Sequence, residues 1–133
     1  MWRMIETERR DSYMTYINLI HRIKTMAGAR EDESQDALEV VVENVAANLT
    51  DYTRRGFADR LPRELREAAQ TVPTMTHLDE DIIDQLMDLD DVDENRARHI
   101  LRAAWQALIE LFDSESAEDI QAELPQNFIA VLR

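Results

Sequence analysis

Three histidines, a run of carboxylates, four serines and a knot of arginines are the side chains whose types could do chemistry, so their spacing comes first. His21, His77 and His99 could ligate a metal or act as general bases. A di-iron bundle wants Glu-x-x-His on facing helices, but the residues three before these are Asn18, Thr74 and Arg96. No His-x-x-x-His pair or His-Glu-x-x-His occurs, so no metal site is expected. The run Asp88, Asp90, Asp91, Asp93, Glu94 invites calcium. An EF-hand loop opening at Asp88 fails at three places: Val92 stands where an oxygen ligand belongs, Asp93 where glycine belongs and His99 where the closing glutamate belongs. The run is expected to cap a helix, whose positive start favours carboxylates.

Ser12, Ser34, Ser114 and Ser116 fall where caps or loops are expected, none in a nucleophile-elbow setting. The chain has no cysteine and no glycine-rich phosphate loop. No catalytic residue, cofactor or metal is therefore expected, and the chain is not expected to be an enzyme. A carboxylate-dependent hydrolase would have only scattered acids to work with.

Arg54, Arg55, Arg60, Arg63 and Arg66 gather within thirteen positions. If Arg55, Arg63 and Arg66 share a face they make a phosphate-contacting patch, which gives the alternative reading of a nucleic-acid-associated regulator. Against it, 28 acidic side chains oppose 15 basic ones for a net charge of −13, and Asp51, Asp59, Glu64 and Glu67 are interspersed. Nucleic acid is repelled by such a body. The expected function is a non-catalytic helical protein-interaction or assembly module, with a protein partner or a second copy. Trp2, an aromatic at the chain start, is a contact either for that partner or for its own fold.

The elements that must carry these residues are helices. Only two glycines and three prolines punctuate 133 residues, too few turns for an all-β fold. The stripe Leu38, Val41, Val42, Val45, Leu49 runs through a polar break to Phe57, Leu61-Pro62 and Leu65. Sixty-three positions on, Leu101, Ala104, Trp105, Leu108, Phe112, Ile120, Leu124-Pro125 and Phe128 repeat it. The expectation is an all-α fold of two tandem four-helix repeats, 1–72 and 73–133, sharing one bundle-like domain.

In the first repeat, Tyr13, Ile17, Ile20 and Ile23 lie on one long helix, open to a break across Glu6 to Asp11 and ended by Gly28 as a left-handed cap. Ser34 or Asp32 is expected to cap a second helix with a single apolar face. Each Leu-Pro marks a helix start, the leucine tucking beneath it. In the second repeat Thr76 with Asp79, and Ser114 or Ser116, are the expected caps. Trp105 and Val42 are expected to bury against the first helix of their own repeats.

The pattern resembles the prokaryotic family known as domain of unknown function 2267, in Ala37 to Leu49 with Phe57-Ala58-Asp59-Arg60-Leu61-Pro62, and in Ala103 to Phe112 with Ile120-Gln121-Ala122-Glu123-Leu124-Pro125. The resemblance implies an all-helical tandem fold and brings no catalytic residues.

Charge sharpens the picture. Residues 1–66 hold 11 basic and 12 acidic side chains, residues 67–133 hold 4 and 16, and Lys24 is the single lysine. An acidic, lysine-poor surface suits a cytoplasm of molar salt, and a halophilic source is one expectation. No signal-peptide pattern opens the chain, and the most apolar window, Ala37 to Leu49, is broken by Glu39, Glu43 and Asn44, so a soluble cytoplasmic protein with no membrane contact is expected. At the offset of 63, Arg55 answers to Glu118 and Arg60 to Glu123. The expected interaction surface therefore joins Glu118 and Glu123 to the five arginines and Trp2.

Overall fold

Apolar residues three and four apart demand helices that bury one face each, and that is how the chain folds. The computed structural model describes residues 2–71 and 81–133, with side chains from Ser12 onward. Among the described residues are eight helices and no strand: α1 Trp2–Ala27, α2 Glu31–Ala47, α3 Asp51–Arg60, α4 Arg63–Thr71, α5 Ile82–Leu89, α6 Glu94–Ile109, α7 Ser114–Glu123 and α8 Gln126–Leu132. His77 and the expected Thr76 and Asp79 cap lie outside the described residues.

The first helix is continuous through Glu6 to Asp11. It ends as expected, with Gly28 at φ +62°, a left-handed conformation that only glycine adopts without strain. Ile20 and Ile23 are buried, but Tyr13 is 57% exposed. The reason is rotational: Ser12 turns toward α4, accepting from the Arg63 N–H at 2.6 Å, and the next residue points about 100° away round the helix.

The second helix has more than the single apolar face expected of it. Val40, Val41, Val42, Asn44 and Val45 are all buried, because α1, α4, α5 and α6 surround α2 on several sides. Each such valine contributes roughly 1.5–3 kcal/mol by leaving water, which outweighs the weak helix propensity of the valine run. Asn44, buried among them, satisfies its amide by donating to the Val40 carbonyl at 2.7 Å and to Gln85 of α5 at 3.0 Å.

Helices from early and late in the chain pack on one another. The α6 helix lies against both α1 and α2, and α5 also lies on α2. Trp105 is buried, as expected, but its neighbours along a surface groove include Met26 of α1 and Leu132 of α8. The α6 helix packs on α5 as well.

Local chemistry sets the helix starts, and three are Asp caps: Asp93, from the acidic run expected to cap a helix, and two more, Asp81 and Asp113. Asp81 accepts from the Ile83 N–H at 2.8 Å, Asp93 from Arg96 at 2.8 Å, and Asp113 from Ser116 at 2.7 Å. Asp113 thus replaces the expected Ser114 or Ser116. Neither Ser34 nor Asp32 caps α2; Arg30 stands at its N-cap, and the Arg30 N–H donates to the Glu33 carboxylate at 2.8 Å. Leu61 and Leu124, the residues before the two prolines, are buried.

Candidate interaction site

Asp51 to Arg60 and Ser114 to Glu123 form two short helices that touch across the molecule. Their ends exchange polar contacts in a reciprocal pattern. At one end the Glu123 carboxylate accepts from the Thr50 N–H at 2.7 Å and from the Thr53 hydroxyl. At the other, Arg60 pairs with Asp113, the cap of α7, at 3.6 Å. The two helices are therefore antiparallel, and Glu123 serves as the N-terminal cap that the Thr50 side chain does not provide. Burial pushes the Glu123 carboxyl up, but the bonds from Thr50 and Thr53 more than offset this and hold it below the usual carboxylate range. The sign difference at these matched positions now has a cause. A threonine at the cap leaves helix N–H groups for a glutamate, while an aspartate at the cap leaves a charge for an arginine.

Between the two helices runs a groove of about 450 Å³. Phe57 and Phe112 form its floor, stacked with centroids 5.6 Å apart and rings 14° from parallel. Tyr52, Arg55, Gly56 and Asp59 line the α3 side; Ser116 and Asp119 line the α7 side. Tyr52 is 89% exposed, the most exposed large hydrophobic side chain among the described residues. Such a surface, with an apolar floor, a free aromatic and both signs of charge at the rim, is suited to holding another macromolecule.

The arginine cluster divides. Arg54 donates through Nε to the Ala46 carbonyl at 3.0 Å, closing the end of α2, and Arg66 donates through Nη2 to the Leu61 carbonyl at 3.2 Å, closing α3. Arg60 engages Asp113. Arg55 and Arg63 remain exposed, as does Glu118. The structure thus brings Arg55, Arg60 and Glu123 to the contact between α3 and α7, leaves Glu118 exposed on α7 outside the groove lining, and directs Arg54 and Arg66 to backbone. Trp2 belongs to α1, but its side chain lies outside the described ones.

The other chemical candidates are dispersed. His21 and His99 are exposed on separate helices, and no group of three His, Cys, Asp or Glu side chains among the described residues could hold a metal ion. Asp93 is occupied as a cap. Asp90, however, is buried. Burial first, then a hydrogen bond with Asp36 and the charges of Asp36, Asp32 and Glu33, push its carboxyl up to about 6. A second groove, about 350 Å³, is lined by Asp36, Glu39, Glu43, Glu64 and Glu67 beside Tyr16. Burial, then Glu39, raises the Glu43 carboxyl there.

A buried carboxylate with its arginine partner escaped the sequence reading. Glu33, 1% exposed, takes both guanidinium arms of Arg96, at 2.7 Å from Nη2 and 3.1 Å from Nε. Arg96 also donates to the Gly28 carbonyl at 3.2 Å, so one α6 side chain ties down the turn between α1 and α2. Glu33 and Arg96 stand 63 positions apart with opposite charge, so the comparison that singled out Arg60 and Glu123 would have found them too.

Residues 16–131 match the family described as Uncharacterized conserved protein (DUF2267). The chain belongs to this family. No curated protein matches it, and no solved structure does. Family DUF2267 membership accords with the all-helical fold. No helix among the described residues is long and apolar enough to cross a membrane.

Proposed function

We propose that this DUF2267 chain is a non-catalytic helical interaction or assembly module, acting in the cytoplasm through the face formed by α3 and α7. The single observation that carries the reading is the groove between those helices. Its aromatic floor is already assembled by Phe57 and Phe112, while Tyr52 and Arg55 stand unburied at its rim. Exposed aromatics and arginines at the edge of a formed pocket are the side chains that contribute most to protein binding. The reciprocal contacts of Glu123 and Arg60 support it, because they hold the two helices in register for a partner.

The same contacts fit two related units fused in one chain and facing each other through matched elements, α2 with α6 and α3 with α7. The nucleic-acid reading is the less favoured one. Arg54 and Arg66 turn to carbonyls and Arg60 to a carboxylate, which leaves Arg55 and Arg63 as the remaining phosphate-facing charge on a body of net −13.

Affinity capture from the source organism at its native salt tests the proposal, using the wild-type chain beside Tyr52→Ser with Arg55→Glu. The wild type should retain a protein, or a second copy of itself, that the variant loses. Equal capture by both would remove α3 and α7 from the account, and retention of duplex or single-stranded nucleic acid at low salt would favour the regulator.

A further inference from the structure

We propose that the turn between α5 and α6 is a pH-sensitive latch, closed on α2 by a proton that Asp90 shares with Asp36 and released when that proton leaves.

The geometry calls for the proton. Asp90 ends α5, its N–H donating to the Leu86 carbonyl at 2.9 Å and its carbonyl accepting from the Val92 N–H at 2.7 Å. Its side chain points inward: the residue is 6% exposed, and its Oδ2 has no hydrogen-bond partner among the described residues. An ionised carboxylate so placed gives up its water and gains no donor in exchange. What faces it is the carboxyl of Asp36 on α2, with which it forms a hydrogen bond. Two carboxyl groups bond to each other only through a proton held by one of them, so the closed pair carries that proton.

The neighbouring cations are committed elsewhere. Arg96 of α6 gives both guanidinium arms to Glu33 and a further bond to the Gly28 carbonyl. Arg30, before α2, pairs with Asp32 at 3.2 Å and lies 3.8 Å from Glu33. From α2, then, Asp90 feels Asp36, Asp32 and Glu33, all acidic, while Asp88, Asp91 and Asp93 around its own turn are exposed. Losing the proton sets a new negative charge against Asp36 at close range. The turn is the part that can yield, since α2 is enclosed by α1, α4, α5 and α6, whereas Leu89 beside Asp90 is 60% exposed. Asp36 also lines the carboxylate groove beside Tyr16, so the same proton sets the charge at the edge of that groove.

The direction of the switch follows from linkage. Burial first, then Asp36, pushes the Asp90 carboxyl up to about 6 in the closed turn, whereas in an opened, hydrated turn an Asp titrates at ~4. Closure is therefore fully favoured below about 4 and weakens as pH rises through about 6. Between pH 5 and pH 8 the opening equilibrium should rise about tenfold.

Amide hydrogen exchange followed by NMR on the full chain tests the inference, using protection factors from which the intrinsic pH dependence of exchange has been divided out. Those of Asp90 and Val92 should fall about tenfold from pH 5 to pH 8. At pH 8 they should lie at least tenfold below those of Ala104 and Leu108 inside α6, as a turn that opens by itself requires. Asp90→Asn, whose amide can still donate to Asp36, should abolish the fall, and in the wild type the Asp90 carboxyl carbon should titrate near 6. Equal protection at the two pH values overturns the inference, as does a fall that survives Asp90→Asn. Protection of the turn equal to that of α6 also overturns it, because the turn would then open only with the whole fold.

Discussion

Asp90 shows how one side chain can set a pH dependence that its type alone would not suggest. Its carboxyl titrates near 6 in the folded chain because it is buried and faces Asp36, Asp32 and Glu33, whereas an unfolded Asp titrates near ~4. The folded chain therefore binds more protons between these values. Its contribution to stability is full below about 4 and falls away as pH rises through about 6, by roughly 2–3 kcal/mol. Glu33 runs the other way: hydrogen bonding to Arg96 first, then the Arg30 N–H and both charges, more than offset burial and lower its carboxyl. That contribution is present above the ordinary Glu value and lost as pH falls through the lowered one. Asp90→Asn should accordingly raise the melting temperature by several degrees at pH 8 and change it little at pH 4. A uniform effect at both would show that Asp90 is ionised throughout. The acidic run was legible in sequence, and its capping role at Asp93 followed from helix electrostatics. That Asp90 turns inward while Asp88 and Asp91 face water depends on where the turn between α5 and α6 meets α2, which periodicity does not encode.

Among the elements, those starting with Asp caps are held by neighbours in sequence, and α3 is held by a residue from far away. Glu123→Ala should therefore cost about 1–2 kcal/mol by leaving the Thr50 N–H and Thr53 hydroxyl without their acceptor. Glu118→Ala, exposed on the same helix, should fall within about 0.5 kcal/mol of wild type. Urea denaturation of the two variants makes the comparison, and equal losses would mean that Glu123 does not cap α3. Trp105→Ala should cost about 3–5 kcal/mol, since the indole is buried among α1, α6 and α8. Helix positions and the Leu-Pro starts were readable because periodicity and proline act locally. That α6 would lie against α1 as well as α5 was not, because both helices present the same kind of apolar stripe.

For the whole molecule, charge is the property with the widest consequences. Sixteen acidic and four basic side chains in residues 67–133, together with the carboxylate-lined groove by Tyr16, should make the fold gain stability as salt rises from about 0.1 M to molar. Equal melting temperatures across that range would contradict the expectation of a salt-rich cytoplasm. Family and all-helical class could be read from the doubled Leu-Pro pattern. The interaction face could be read only in part. Matched positions of opposite sign pointed to Arg55, Arg60 and Glu123, and also to Glu118, which does not line the groove; the floor joins Phe57 inside α3 to Phe112 in the turn between α6 and α7, positions that no common spacing relates. The most direct test of α3 and α7 as the working face is amide hydrogen exchange on the full chain, alone and saturated with the protein it captures from its source organism. The account predicts added protection in the bound state confined to residues 51–60 and 114–123. Protection gained on other helices instead, or on none, would contradict it.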